Sequence, residues 1–137
     1  MKILLSIKPE YSKKILSGEK KYEFRRQKPK ENFEVVFVYE SSPSKSIVGY
    51  FSVKKIISGS PNKIWKKCKR YGGIEKENYL AYCENKNIIH AIEIDKIFEF
   101  DSPINPFKIF SNFKPPQNFS YLEKSVLYES LQSKMQQ

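Results

Sequence analysis

Three strand patterns follow one another between residues 21 and 57, with no helical pattern to separate them. The first, KYEFRR at 21–26, alternates ring and charged side chains, and the second, FEVVFVY at 33–39, is an apolar run. The third, IVGYFSVKKII at 47–57, contains Gly49, which predicts a bulge. Because strands that succeed one another directly lack helical crossovers, this order predicts an antiparallel or mixed sheet rather than a doubly wound one.

Helical patterns lie on either side of this strand-rich stretch. MKILLSI reads as a strand, after which Pro9 opens a helix and Gly18 ends it. The sequence predicts two further helices at residues 62–71 and 74–85 and a strand at residues 87–100. It predicts a last helix at residues 120–133. The order β-α-β-β-β-α-α-β, followed by a tail rich in Pro and Phe, predicts an α+β fold. Its centre would be a small mixed or antiparallel β-barrel flanked by short helices.

Positive charge is concentrated in two segments of this chain, whose formal net charge is +10. Residues 1–30 carry ten Lys or Arg against three Glu, and residues 54–70 carry seven Lys or Arg with no acidic residue. The remaining residues are slightly acidic as a whole. A fold that brings the two segments onto one face would offer a surface to a polyanion such as a nucleic acid. Solvated lysines without a partner are the alternative.

Other classes of protein are not favoured by the composition. Cys68 and Cys83 are the only cysteines, and with His90, the single histidine, they do not make a zinc-binding pattern. We therefore predict no disulfide, no metal site and no cofactor. No apolar run approaches the ~18 residues of a membrane span, and no signal-peptide pattern precedes the first strand. We expect a cytoplasmic protein without a membrane partner.

Four sequence elements resemble the ASCH domain, a branch of the PUA-like superfamily. GEKKYEFR contains the pattern G-x-K-x-x-E-x-R, with Gly18, Lys20, Glu23 and Arg25 at the four fixed positions. VYESSPSKSIVGYFSV, the stretch from IWKK to HAIEI, and FKPPQNFSYL follow in the order of that family. The last element resembles a subgroup described as predicted transcriptional regulators. The resemblance spans residues 1–122, which we interpret as one domain, with a C-terminal helix or tail at 123–137.

The resemblance implies a PUA-like barrel of five or six strands, with a cleft between the barrel and the helices. Related folds bind RNA, modified bases or nucleosides, and some ASCH members are reported as ribonucleases. One ASCH subgroup hydrolyses N4-acetylcytidine with a Lys and a Thr on this strand and a Glu elsewhere in the chain. The Lys corresponds to Lys20, but Glu23 stands at the position of the Thr, so the hydroxyl of that mechanism is missing here.

The predicted site combines the charged strand with the elements of the resemblance. Its floor would be formed by Lys20, Lys21, Glu23, Arg25 and Arg26, and its wall by Ser41, Ser42 and Gln117. Lysine and arginine can donate to phosphate, whereas the carboxylate can accept from an exocyclic amine or act as a base. Strict alternation would send Lys20 to the opposite face, so we expect Lys20 in the turn after Gly18. A purely structural salt bridge of Glu23 is the alternative.

Three functional hypotheses follow from these observations. The leading one is a basic cleft that binds RNA or a modified nucleoside or nucleotide, with a regulatory role for the protein. The second is a hydrolase on the same cleft, either an amidohydrolase of acylated cytidine or a ribonuclease, in which Lys20 polarises the substrate and Glu23 handles protons. The third is a protein-interaction module. The sequence leaves the oligomeric state open.

Overall fold

A computed structural model describes residues 1–122 and 126–135. Its strands, β1 to β6, span Lys2–Ile7, Tyr22–Arg25, Val35–Glu40, Ser46–Gly59, Ile89–Ile104 and Phe119–Tyr121. Its α-helices, α1 to α5, span Pro9–Leu16, Pro61–Cys68, Lys76–Tyr82, Pro106–Ile109 and Val126–Met135. A 3₁₀ turn at Lys69–Tyr71 continues α2. None of these helices is long and apolar enough to cross a membrane.

The strands form one mixed sheet in the order β2-β5-β4-β3-β1-β6. The β1–β3 pair is parallel, and the other neighbouring pairs are antiparallel. The sheet curls into a half-barrel with the short helices around it, which confirms the predicted α+β class.

Two long strands, β4 with 14 residues and β5 with 16, run through the middle of the sheet. Their pairing shifts register at three places, one of them between Ile47 and Gly49, where the bulge is predicted. A Cβ atom on Gly49 would lie 2.2 Å from the carbonyl oxygen of Phe98 on β5. Only glycine therefore allows the two backbones to approach this closely.

The curl brings the two edges of the sheet within reach of one side chain. Arg25, on edge strand β2, donates from Nη2 to the carbonyl oxygen of Ser6 on β1 at 2.8 Å. Its Nη1 donates to the carbonyl oxygen of Asn118, just before β6, at 3.3 Å. The amide of Asn118 also donates to Gln27 Oε1 at 3.1 Å. Side chains thus connect the two edges, and the candidate site lies at this junction.

The described residues form an apolar core with three parts. One lies between α1 and the sheet, the second beneath α5, and the third beneath α2 and α3. Phe24 is buried in the third part and Tyr22 packs against it, as the alternation on their strand predicts. Tyr79 of α3 is buried in the same part, whereas its neighbour Leu80 is exposed.

The C-terminal third differs most from the sequence prediction. Strand β6 extends the sheet beside β1, and its three residues are too few to give a periodic signal. The predicted helix at 120–133 begins at Val126, and the part of it at 123–125 lies outside the described residues, as does the predicted boundary at 123. Leu127 and Leu131 of α5 are buried in the core, so this helix packs against the sheet-bearing part of the chain.

Candidate active-site cavity

A cavity of about 590 Å³ opens where the two sheet edges meet. The end of β1, the start of α1, strand β2 with the turn before it, and α3 form its walls. The charged residues that line it are Lys8, Glu10, Lys20, Glu23, Arg25 and Arg26. The other lining residues are Ser6, Ile7, Tyr11, Phe24, Ile74, Asn78, Ala81 and Tyr82. The volume lies within the range of sites that bind small ligands.

Lys20 lies in the turn that precedes β2, as the alternation of this segment predicts. Its side chain lines the cavity although the residue is only 2% exposed. The ammonium group donates to the carbonyl oxygen of Gly72 and lies 5.3 Å from the ring centre of Tyr11 and 4.9 Å from that of Phe24. One hydrogen bond and two ring faces therefore replace most of the water around this charge.

The environment of Lys20 makes its ammonium group unusually acidic. Burial lowers the pKa of Lys20 to about 8, with Glu23 acting in the opposite direction and Lys14 and Arg25 adding to the decrease. A lysine with this pKa exists in both protonation states near neutral pH. It can therefore give up and recover a proton during a reaction, which an ordinary lysine does poorly.

A glycine pair after α2 makes room for the Lys20 side chain. Gly73 has a φ of +63°, and a Cβ atom on it would lie 2.6 Å from Cβ of Lys20 and 2.7 Å from its Cγ. The carbonyl of the preceding Gly72 is the acceptor of the Lys20 ammonium. The two glycines thus position Lys20, a residue of the cavity wall, and only the tertiary contact reveals this role.

Glu23 and Arg25 form an ion pair on the face of β2 that lines the cavity. Glu23 Oε2 accepts from Arg25 Nη2 at 2.8 Å and from Nε at 3.1 Å. Both bonds go to the same oxygen. Among the described residues, no donor reaches the other oxygen, Oε1. Every fully buried side-chain oxygen or nitrogen in this part of the chain has a hydrogen-bond partner. Because Oε1 has none, it is not fully buried and keeps contact with solvent. Glu23 is only 7% exposed but lines the cavity, so Oε1 is the carboxylate oxygen that is left for a ligand there.

Arg25 stabilises the fold and also lines the cavity. Its guanidinium binds Glu23 and the carbonyl oxygens of Ser6 and Asn118, which uses four of its five N–H donors. The sequence offered two readings of Glu23, a site residue or a salt-bridge partner. The ion pair of the second interpretation is present, and Glu23 also lines the cavity with one carboxylate oxygen that Arg25 does not bind, so its role as a site residue stays a prediction.

Helix α3 contributes lining residues that the sequence analysis did not single out. Tyr82 accepts a hydrogen bond on its hydroxyl from the backbone N–H of Arg26 at 3.1 Å, and the Arg26 guanidinium lies 4.8 Å from the Tyr82 ring centre. Asn78 lies one turn earlier and faces the same cavity. The sequence signal was only the amphipathic pattern of the helix, whose buried member, Tyr79, points into the core instead.

Four of the predicted site residues do not line this cavity: Lys21, Ser41, Ser42 and Gln117. Lys21 precedes the strand, and its ammonium lies 4.3 Å from the ring centre of Tyr71 instead. Ser41 follows β3, and its backbone N–H donates at 3.0 Å to the carbonyl oxygen of Ile7, which is a lining residue, so Ser41 adjoins the cavity wall without lining the cavity.

The segment around Gln117 still touches the rim of the cavity. Gln117 itself is exposed, but the carbonyl oxygen of Pro116 accepts from Ser6 Oγ at 2.7 Å, and that of Asn118 accepts from Arg25. The cavity thus brings together Lys20, Glu23, Arg25 and Arg26 of the predicted set. In the described part of the chain, no group of three or more His, Cys, Asp or Glu residues is arranged to hold a metal ion.

The sequence model of the ASCH domain matches residues 5–98 of this chain. An ASCH domain-containing ribonuclease of Zymomonas mobilis is 30% identical over 128 residues, which cover 88% of this chain and 84% of that protein. The large ribosomal subunit protein uL22 of Ureaplasma parvum is 30% identical over 122 residues, but the matched part is only 39% of that protein.

The crystal structure of ASCH from Zymomonas mobilis has the same fold as this chain. The two superpose with a TM-score of 0.87 and 27% sequence identity, over 96% of this chain and 94% of the other. The similarity therefore extends over the whole described fold, including the C-terminal elements that lie beyond the ASCH match.

Proposed function

This chain belongs to the ASCH domain family, and on that premise we propose that its cavity binds single-stranded RNA and cleaves the RNA backbone. The observation that carries the proposal is that one cavity is lined both by an acidified, buried Lys20 and by Glu23, whose Oε1 has no donor among the described residues. A relative that this chain matches over most of its length is named a ribonuclease, which supports the reaction class.

The cavity offers the groups that RNA transesterification requires. The ribose 2′-hydroxyl attacks the adjacent phosphorus, a new O–P bond forms, and the bond from phosphorus to the 5′-oxygen breaks. Glu23 Oε1 would take the proton from the 2′-hydroxyl, and the Lys20 ammonium would give a proton to the leaving 5′-oxygen. The products are a 2′,3′-cyclic phosphate and a free 5′-hydroxyl.

Cations around these two groups suit a phosphate that gains negative charge during the reaction. Arg25 retains one N–H donor that no acceptor among the described residues occupies, and Arg26 lies against Tyr82 at the cavity wall. Donors that are already fixed by packing stabilise developing charge without further reorganisation. The uncharged tyrosine ring beside Arg26 also provides a surface on which a base can stack.

The narrower hypotheses from the sequence have less support from the geometry. Hydrolysis of N4-acetylcytidine would lack the hydroxyl nucleophile, because Glu23 takes that position and is held by Arg25. Binding of a modified nucleotide, a regulatory role and a cytoplasmic location remain compatible with the proposal. Placement in the subgroup described as predicted transcriptional regulators likewise remains a proposal.

The test is cleavage of an end-labelled single-stranded RNA by purified protein, with product ends identified by mass. We expect 2′,3′-cyclic phosphate ends from the wild type and a rate that is lower by roughly a hundredfold or more in Lys20→Met. Lys108→Gln is the matched control, because Lys108 is exposed on α4, which contributes no lining residue.

Equal cleavage rates in wild type and Lys20→Met would refute a role of this cavity in the reaction. Binding of RNA without any cleavage would reduce the proposal to a binding domain. Release of acetate from N4-acetylcytidine, lost in Lys20→Met, would instead establish the amidohydrolase.

A further inference from the structure

Residues 71–73 are fastened to the segment that carries Lys20. Their three consecutive carbonyl oxygens accept from the Lys21 backbone N–H at 2.8 Å, from the Lys20 ammonium, and from Lys14 Nζ at 3.4 Å. Since Lys20 lines the cavity, this connection places Tyr71 directly beside the cavity although Tyr71 does not line it.

The ring of Tyr71 holds one cation from each of the two basic segments. Lys21 Nζ, from the first segment, lies 4.3 Å from the ring centre, and Arg70 Cζ, from the second, lies 5.3 Å from it. Tyr71 is 39% exposed, and both cations are at the surface. Within residues 1–122 and 126–135, neither cation forms a salt bridge.

Contact with an aromatic ring restricts a cationic side chain without using its N–H donors. The ammonium of Lys21 and the guanidinium of Arg70 are therefore held close to one ring while their donors remain available to an anion. Less side-chain freedom is lost when a ligand binds to groups that are already positioned. A phosphate, with several acceptor oxygens, can bind two such cations at once.

We propose that Tyr71, Lys21 and Arg70 form a phosphate subsite outside the cavity, which binds the phosphodiester next to the nucleotide inside it. This inference rests on the proposed function of the cavity. Lys20 and Lys21 are consecutive, so their Cα atoms are about 3.8 Å apart, and one serves the cavity while the other serves the subsite.

The subsite defines the class of ligand. A free nucleoside or mononucleotide can fill the cavity but has no second phosphate for Tyr71 and its cations. An RNA strand occupies both places, and its path continues toward further exposed cations at Lys66, Lys67 and Lys69. The domain therefore favours a single-stranded oligonucleotide over a nucleoside, and the phosphates rather than the bases determine binding at this outer part.

The experiment compares the wild type with Lys21→Gln/Arg70→Gln. The ligands are a 2′-fluoro RNA of roughly 10 nucleotides, which lacks the attacking hydroxyl, and a mononucleotide, both titrated over a range of salt concentrations. We expect the double variant to bind the oligonucleotide roughly tenfold or more weakly. The slope of log affinity against log salt should decrease by about 0.7 for each lost phosphate contact, with mononucleotide affinity unchanged. Lys108→Gln/Lys114→Gln, which removes the same charge at exposed positions, should leave both affinities near the wild-type values.

Each other outcome overturns the inference in a distinct way. Unchanged oligonucleotide affinity in Lys21→Gln/Arg70→Gln would refute the subsite and leave the proposed function of the cavity intact. An equal loss in Lys108→Gln/Lys114→Gln would show that net charge alone is responsible. Equal weakening for the mononucleotide would place the two cations in the cavity site. A wild type that binds neither ligand would refute both the subsite and the proposed function, and would leave the cations to an acidic protein partner.

Discussion

Replacing Lys20 with methionine should remove a pH-dependent contribution to stability, because methionine keeps the apolar stem and deletes the buried charge. In the folded protein, burial lowers the pKa of Lys20 from 10.5 to about 8. Between these two values the unfolded chain binds more protons than the folded one, so this residue makes stability rise with pH in that window. Well below pH 8 this lysine is protonated in both the folded and the unfolded chain, so the cost of burying its charge is fully present.

The magnitude follows from the two pKa values. Integration from about pH 7.5 to about pH 10 gives a gain of about 2 kcal/mol in the free energy of unfolding of the wild type relative to Lys20→Met. Urea denaturation of both proteins at several pH values measures this difference in the free energy of unfolding. The other titratable groups are the same in the two proteins, so their contributions cancel in the difference. A difference between the two proteins that does not change with pH would refute the depressed pKa, and with it the acid role of Lys20.

Three further predictions concern the surroundings of Lys20. Glu23→Gln should bind RNA slightly more tightly, since it removes one of the two carboxylates that line the cavity beside four cationic side chains, yet cleave it roughly a hundredfold more slowly. Anisotropy and cleavage assays measure the two effects, and unchanged cleavage would exclude Glu23 as the base. Arg25→Met should lower the free energy of unfolding by about 3 kcal/mol, because it leaves Glu23 unpaired and removes the hydrogen bonds that join the sheet edges. Denaturation of Glu23→Gln/Arg25→Met should show a smaller decrease in this free energy than the sum of the decreases in the two single variants. Gly73→Ala should lower the free energy of unfolding by about 1–3 kcal/mol and displace the Lys20 side chain. Gly59→Ala is the control and should be close to neutral, because a Cβ atom there makes only ordinary van der Waals contacts. Equal decreases in the two variants would contradict the packing argument.

The architecture was largely predictable because it depends on short-range patterns. Alternation on residues 22–25, the apolar run that becomes β3, and Gly18 at the end of α1 are signals within a few residues of the element they define. The position of Lys20 was predictable for the same reason, since alternation excludes it from the strand face of Glu23. Strand β6 and helix α4 were not predicted, because segments of three and four residues are too short to show a periodic hydrophobic pattern.

The cavity could be predicted only in part, because several of its contacts join segments far apart in the chain. The acceptor for Lys20 is the Gly72 carbonyl, 52 residues away, and the partner of Arg26 is Tyr82 on a helix that the sequence presented only as amphipathic. Ser41 and Gln117 were placed in the wall by resemblance, and neither lines the cavity. Their local sequence patterns indicate turns, but a turn pattern does not tell which part of the fold the turn faces.

The pH dependence of RNA cleavage tests the central claim most directly. The claim is that an acidified Lys20 serves as the proton donor of the reaction, so kcat/KM of the wild type should fall above about pH 8, the pKa that burial gives to this lysine. The same value should describe its stability titration, and Lys20→Met should show low activity without that basic limb. A wild-type profile that is flat through pH 8 to 9, or a basic limb that persists in Lys20→Met, would contradict the account.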